Sequence, residues 1–439
     1  MKHSAFTPHL PTAVLHILET LQGAGYEAYI VGGCVRDMIL AQSTHTPYVA
    51  NDYDITTSAL PQEIMRLFAH TISTGLKYGT ISVLIESQSY EVTTFRIDGV
   101  YSNARSPKNV TFTRSLVQDL QRRDFTINAL AYAPQCGLID EVGGLRDLYH
   151  KRIVCVGNPL SRLSEDALRI LRALRFSATL GFEIESNTKA AIFSLCPKVR
   201  LIAKERIKVE LTKLLCGAWA KAVLQEFKSV IGEICPQMRE IITHNTLWQR
   251  TLCILDNLTS PNPTLAWGAF LYYTDELQVR DILKSLKFDT HSKEYTYSLL
   301  EWAKKPLKNN PIALKSMLVD MGGREKGVVM FKDVLKLKTA LINAQDSEDK
   351  AQENEMLERI SSLVAHILAS STPLERKELC LNGRDLIHIG VSEGKRVGEI
   401  LHLLHQEVLH ERVSNTKQAL LSKAQEILES KKCELEPKD

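Results

Sequence analysis

The stretch Asn51-Asp52-Tyr53-Asp54-Ile55 sets two carboxylates one residue apart. On a strand, side chains alternate, so Asp52 and Asp54 project from the same face. Two such charges repel unless a cation lies between them. Hard oxygen ligands favour Mg²⁺, whose coordination is usually completed by substrate phosphates. Taken alone, such a pair is a weak signal, since most such pairs are solvated loop acids. A second pattern lies about twenty residues earlier. Ala28 to Val31 is a short apolar run ending in Gly32 and Gly33, a strand followed by a turn. Paired glycines between a strand and a helix let backbone N–H groups approach a phosphate. Arg36, one turn into the following helix, could grip a phosphate bidentately. By itself this is also a tight turn with a surface arginine. A phosphate cradle followed by a metal-binding strand is the layout of a nucleotidyl-transfer site.

Three further groups fit that chemistry. Glu91 opens the run Glu91-Val92-Thr93-Thr94-Phe95-Arg96. If its strand lies beside that of Asp52 and Asp54, Glu91 is a third carboxylate able to help activate an attacking hydroxyl; otherwise it is an edge-strand glutamate. Arg122-Arg123-Asp124 sets two cations beside an acid at an expected helix start, where Asp124 or Thr126 could cap and Arg123 could reach triphosphate oxygens. A structural Arg–Asp pair has the same pattern. Glu165 to Phe176 reads as one helix. On it Asp166, Arg169 and Arg172 share a polar side, and Ile170, Leu171 and Leu174 form the buried one. An acceptor and a fork of donors held side by side can read the Watson–Crick edge of a base. An ordinary i,i+3 salt bridge is the other reading.

Positioning these residues takes an α/β segment followed by helices. Thr80 to Ile85 and Tyr90 to Phe95 are β-rich runs, with Glu86 to Ser89 as a hairpin turn. Cys34 to Ala41 reads as helix. From about Ser164 the apolar spacing becomes three and four, through Leu168, Leu171 and Leu174, then Ile207, Leu211, Leu214 and Leu215. Ala344 to Glu358 is an exposed helix or a linker, and Asn415 with Gln418 forms a helix-start pattern. The 439 residues, 44% apolar and 24% charged, exclude a disulfide-dense mini-protein and wholesale disorder. Nine scattered cysteines with no C-x-x-C suggest neither a disulfide frame nor a zinc site. No stretch is apolar for long enough to span a bilayer, and Met1 to Ser4 leads into no signal-peptide core, so a cytoplasmic protein is expected. Residues 1–150 hold 11 Lys/Arg against 14 Asp/Glu, a net of −3; residues 151–220 hold 13 against 6, a net of +7. Such a basic belt suits a polyanion, and equally a solvated helical surface.

Together these residues closely resemble the class II CCA-adding enzymes, the tRNA nucleotidyltransferase and bacterial poly(A) polymerase family. The matching pieces are GGCVRD, DYD, Gly75 to Thr80, EVTTFR, RIDGVYSNARSP, RRDFTINA, DEVGGLRDL and EDALRILRALRF. A weaker match continues through Glu205-Arg206-Ile207 and Leu381 to Leu386. The resemblance implies an α+β chain: a polymerase-β-like nucleotidyltransferase head with a mixed sheet over 1–160, then an all-helical neck (161–220), body (221–343) and tail (344–439). It implies template-independent addition of C, C and A to the 3′ end of tRNA from CTP and ATP, with Mg²⁺ and release of pyrophosphate. The alternatives are an A-adding enzyme or poly(A) polymerase, or a silent RNA-binding protein on the same scaffold. Asp52 and Asp54 would hold the metals, and Gly33, Arg36 and Arg123 would contact the triphosphate. Asp166 and Arg169 would read the incoming base, supported by Arg172 and Arg175. Asp98 to Arg105, with Tyr101, would be the flexible loop that helps switch from C to A; relatives usually carry Asp where Asn103 stands. Neck and body would grip the acceptor arm of tRNA, with no membrane partner, as a monomer or homodimer. None of the thirteen histidines is followed by Asp, so the phosphohydrolase domain of some relatives is not expected.

Overall fold

The computed structural model describes residues 6–44, 48, 50, 52–99, 101–102, 106–107, 110–345 and 347–433. They form two compact units. The first runs to Trp248 and adds Thr274–Phe288; the second holds Gln249–Tyr273 and everything from Asp289 onward.

The first unit is built on a seven-stranded mixed sheet. Its strands are β1 (Ala28–Val31), β2 (Asp54–Thr57), β3 (Thr71–Gly75), β4 (Thr80–Ile85), β5 (Gln88–Thr94), β6 (Leu130–Ala133) and β7 (Gly137–Asp140), in the spatial order β7-β6-β1-β2-β5-β4-β3. All four residues of β1 are buried, as a central strand covered on both faces requires. One core joins Tyr29 and Val31 of β1 to Ala131 and Ala133 of β6, and to Phe95, Leu116 and Leu120. The β4–β5 turn is tighter than the sequence suggests. Ile85 pairs with Gln88, and Glu86 and Ser87 take φ of 48° and 67°. Two consecutive positive φ values suit the right-handed twist of the flanking strands, so pairing resumes at once.

Helices α1 (Thr12–Gly23), α2 (Gly33–Ser43), α3 (Pro61–Leu67), α4 (Leu116–Gln121) and α5 (Gly144–Tyr149) accompany the sheet. Next come α6 (Pro159–Glu165), α7 (Leu168–Leu180), α8 (Ser186–Leu195) and α9 (Lys204–Leu215). The expected apolar faces are present: Leu168, Leu171 and Leu174 are buried on α7, and Ile207, Leu211, Leu214 and Leu215 on α9.

Three sequence expectations need correction. Glu165 to Phe176 is not one helix. It breaks at Asp166, whose backbone is extended and whose carboxylate takes the Leu168 N–H at 3.0 Å. Arg122 to Asp124 follows a helix rather than starting one: α4 ends there, and a 3₁₀ turn begins at Thr126. Strand β2 begins at Asp54, so Asp52 lies just ahead of it.

The second unit is helical, including Pro263–Leu271, Thr290–Lys304, Lys326–Asn343 and Lys395–Leu409. Lys350–Ala369 is a 20-residue helix, which resolves the polar stretch around it. Lys417–Cys433 forms the expected late helix. Asn415 does not cap it: its side chain bridges the Cys380 N–H and the Glu378 carbonyl. Among the described residues no helix is long and apolar enough to cross a membrane.

Gly144 opens α5 against the Thr126–Asn128 turn. A Cβ there would lie 2.2 Å from the Thr126 carbonyl oxygen and 3.1 Å from Leu130 Cδ2. Backbone on one side and core on the other leave no room to give. Gly144→Ala is therefore expected to cost about 2–3 kcal/mol by overpacking, measured by urea denaturation. An unchanged midpoint would contradict this.

Candidate active site

The site starts from strand pairing. Val31, the last residue of β1, sits opposite Asp54 in an antiparallel pair. On its other side β2 runs parallel to β5, and there Asp54 sits opposite Glu91. Asp52 and Asp54 are exposed while Tyr53 between them is buried, the alternation of extended chain. The three carboxylates Asp52, Asp54 and Glu91 line one cleft of about 590 Å³ with Gln88 and Ser89. Among the described residues none of the three has an ion pair. Although its side chain reaches solvent, the pKa of Asp54 is raised, first by desolvation among the groups packed around it and further by the charge of Asp52; Arg123 and Arg172 oppose the shift. No three His, Cys, Asp or Glu side chains among the described residues form a ready metal cage. Adjacent hard-oxygen donors are nevertheless a set that could hold a hard divalent cation, whose shell is then filled by waters and phosphates.

Gly32, expected with Gly33 as a phosphate cradle, joins this end of β1 to the rest of the site. It holds φ +86°, and a Cβ there would lie 3.3 Å from Arg123 Nη1 and 3.6 Å from Asp54 Oδ2. Only glycine allows both the backbone angle and the approach of a cation and an acid. The signal was the first glycine directly after the strand. Gly33 begins α2, with Arg36 Nη2 as its near neighbour.

The arginines surround one aromatic ring. Arg36, Arg172 and Arg175 place their guanidinium carbons 5.0, 5.3 and 4.0 Å from the centroid of Phe176. Each also has its own acid. Arg36 is bidentate to Asp37 (2.8 and 2.9 Å) and donates to Asn128 Oδ1 at 2.7 Å. Arg172 meets Asp124 at 2.6 Å, and Arg175 meets Glu210 at 2.7 Å. Burial lowers the pKa of Arg175, opposed by Glu210. Burial also works against the charge of Arg172, yet Asp124 and Glu210 outweigh it and raise its pKa. Arg123 is held at 3.3 Å by Asp119, and its Nε is buried with no hydrogen-bond partner among the described residues.

Asp166 and Arg169 do not pair with each other. Asp166 meets Arg206 of α9 at 2.8 Å. Arg169, buried, donates to Glu165 at 2.7 Å and to the carbonyls of Arg162 and Arg122 at 2.9 and 3.1 Å. Both remain beside the α6–α7 break. Asp98, paired with Arg96 at 3.2 Å, lines a second cleft of about 680 Å³ with Arg122, Arg162 and Glu165. The backbone of Tyr101–Ser102 pairs with Ser106–Pro107. Asn103 and Arg105 lie outside the described residues.

Asp124 yields a pH prediction. Burial opposes its ionisation, but Arg172 and the Asn128 amide pull its pKa down to about 2. A depressed carboxylate stabilises the fold above its unfolded pKa and loses that contribution as pH falls through the folded one. The window is thus about pH 4 to 2, and the contribution is of order 2 kcal/mol. Chemical denaturation between pH 5 and 2 should show Asp124→Asn less stable at neutral pH and less sensitive to acid; parallel profiles for the two proteins would refute the assignment.

The chain is similar to known proteins along most of its length. Residues 28–154 match the poly A polymerase head domain, residues 181–229 the probable RNA and SrmB-binding site of polymerase A, and residues 258–424 the putative domain 2 of tRNA nucleotidyltransferase. The CCA-adding enzyme of Limosilactobacillus fermentum is 37% identical over 432 residues, covering 94% of this chain and 96% of its own. That of Lacticaseibacillus paracasei is 38% identical over 417 residues, with coverage of 94% and 96%. The solved Bacillus stearothermophilus CCA-adding enzyme in complex with CTP superposes with a TM-score of 0.74 at 29% identity, covering 96% of this chain and 98% of that one. The Thermotoga maritima CCA-adding enzyme complexed with tRNA shares the fold at a TM-score of 0.57 and 20% identity, covering 95% and 96%. With relatives above 30% identity along nearly its whole length, this chain belongs to the CCA-adding enzyme family.

Proposed function

We propose that this enzyme adds C, C and A to the 3′ end of tRNA from CTP and ATP in the cleft of Asp52, Asp54 and Glu91. The observation that carries the reading is the parallel register of Asp54 with Glu91, beside Gly32 and Arg123. The tRNA 3′-hydroxyl oxygen attacks the α-phosphorus, the bond to the β-phosphate oxygen breaks, and pyrophosphate leaves. Glu91 is placed to take the hydroxyl proton on its carboxylate. Asp52 and Asp54 would hold Mg²⁺, which when bound supplies positive charge against the phosphates and lowers the pKa of the hydroxyl. Gly32 and Gly33 leave backbone N–H groups open to phosphate oxygens, and Arg36 and Arg123 add cationic donors. Arg172 and Arg175, fixed on Phe176, complete the basic wall.

At the α6–α7 break, Asp166 offers acceptors and Arg169 donors to the edge of the incoming base. Arg206 and Glu165 hold these two side chains in place. The 161–220 segment acts as a neck between the head and the helical body and tail, and its basic surface engages the acceptor arm through phosphates and A-form shape. The protein acts in the cytoplasm.

Two experiments test this reading. Asp54→Ala should abolish nucleotide incorporation by several orders of magnitude while tRNA affinity stays within about twofold, because only the charge at the reacting phosphate is lost. Near-normal turnover would sink the site. Separately, Asp166→Ala and Arg169→Ala should degrade the choice among CTP, ATP, UTP and GTP, each lost pairing being worth about 1–3 kcal/mol. Misincorporation of UTP and GTP is the readout. Equal rate losses for all four nucleotides would make these two residues structural.

A further inference from the structure

One buried carboxylate near the site has no part in the transfer chemistry above. Asp119 on α4 is 0% exposed. Its Oδ1 accepts from Arg122 Nε at 2.8 Å and from the Arg96 backbone N–H at 3.3 Å. Its Oδ2 accepts from Arg123 Nη2 and from Thr56 Oγ1, both at 3.3 Å. Thr56 lies two residues along β2 from Asp54, so the two side chains point to the same face of the sheet. Asp119 is therefore tied to the strand that carries Asp54, to the start of the segment leading to Asp98, and to both arginines of the Arg122-Arg123 pair.

Arg123 is the partner that matters. One end of its guanidinium is held by Asp119, and the other, Nη1, lies 3.3 Å from the point where a Cβ on Gly32 would sit, a point 3.6 Å from Asp54 Oδ2. Left unanchored, a long arginine side chain retains much of its rotamer freedom and is drawn toward the nearest carboxylate. That carboxylate would be Asp54. Burial disfavours the charge on Asp119, but Arg122 and Arg123 outweigh it, and its pKa is lowered. The two arginines therefore favour the ionised form of the anchor.

We propose that Asp119 is a positioning residue for the nucleotide: it acts through Arg123, fixing that guanidinium beside Gly32 so that it meets the triphosphate instead of neutralising Asp54. This rests on the reading of Arg123 as a triphosphate contact. Asp119 touches neither substrate nor metal.

The test is a double-variant cycle in steady-state incorporation on the full-length enzyme with tRNA. Asp119→Asn keeps the shape and an acceptor but loses the charge. It should raise KM for CTP and ATP about tenfold while kcat changes less than about twofold. Arg123→Gln should raise KM at least as much. The double variant should be no worse than Arg123→Gln alone, because an anchor without its arginine has nothing to position. A purely structural Asp119 would instead lower kcat along with kcat/KM and add to the Arg123→Gln loss, and that outcome overturns the proposal. Normal KM in Asp119→Asn, with raised KM in Arg123→Gln, overturns the positioning role alone. Normal KM in Arg123→Gln overturns the triphosphate reading and the proposal with it. If circular dichroism shows Asp119→Asn unfolded, Thr56→Val takes its place. That change removes one donor to Oδ2 and should raise KM about twofold, an effect absent in the Arg123→Gln background. No change in KM there also overturns the proposal.

Discussion

Charges of both signs crowd one end of the head sheet, and the site depends on their not neutralising one another. A guanidinium facing a carboxylate about 4 Å away near a protein surface gains roughly 4 kcal/mol of attraction. That is enough for Arg123 to close onto Asp54 and remove both from use. The chain prevents this by holding each arginine on an acid outside the cleft, with Asp119 shared between Arg122 and Arg123. Arg36 has Asp37, Arg123 has Asp119, Arg172 has Asp124, and Arg175 has Glu210. What remains unclaimed among the described residues is the set Asp52, Asp54 and Glu91, the three carboxylates that share a cleft. The pairing thus leaves one surface acidic and the wall beside it basic.

Phe176 makes the basic wall possible. Three guanidiniums within about 5 Å of one point would repel strongly in a uniform medium. Each instead faces a ring whose π-cloud is negative, an attraction of about 0.5–2 kcal/mol per cation. The ring is buried and packs edge-on against Phe125, which follows Asp124. One aromatic residue of α7 is therefore clamped between the Arg122–Asp124 segment and the arginines of its own helix. A displacement of α7 would shift Arg172 and Arg175 together with the α6–α7 break. The proposed base-edge and triphosphate contacts are mechanically linked in this arrangement.

Much of the frame was legible in the sequence. The Ala28–Val31 run matched its strand, and the Gly32-Gly33 turn and the amphipathic faces of α7 and α9 stood where periodicity put them. What was not legible depended on tertiary register or on local competition. Nothing in Glu91 itself reveals that it pairs with Asp54, because strand register follows from burial of two faces rather than from either strand alone. The Asp166–Arg169 pair was misread for a local reason. Leu168, Leu171 and Leu174 carry the helical period smoothly, while Asp166 captures the Leu168 N–H and ends the preceding helix. Asn415 was misread in the same way: its amide serves two distant backbone groups instead of a helix start. The acids of Arg172 and Arg175 lie on other elements, beyond the reach of any spacing rule.

The sheet order explains why these groups meet at all. β1 and β2 are antiparallel, so the end of one and the start of the other share an edge of the sheet, and Gly32 comes beside Asp54. β2 and β5 are parallel, so Glu91, partway along β5, is level with the start of β2. Had β5 paired antiparallel in place, the segment leading to Asp98 would leave from the end near Asp54 instead of the opposite one. As built, β5 runs on from the carboxylate cleft to Phe95 and Arg96, under Asp119, before reaching Asp98. One stretch of chain, β5 and the short strand Arg96–Asp98 that follows it, therefore connects the cleft where phosphoryl chemistry is proposed to the loop base beside Arg162 and Glu165. The mixed topology brings two consecutive strands against the two clefts, and Asp119 accepts from the Arg96 N–H at their junction as well as from the arginine pair.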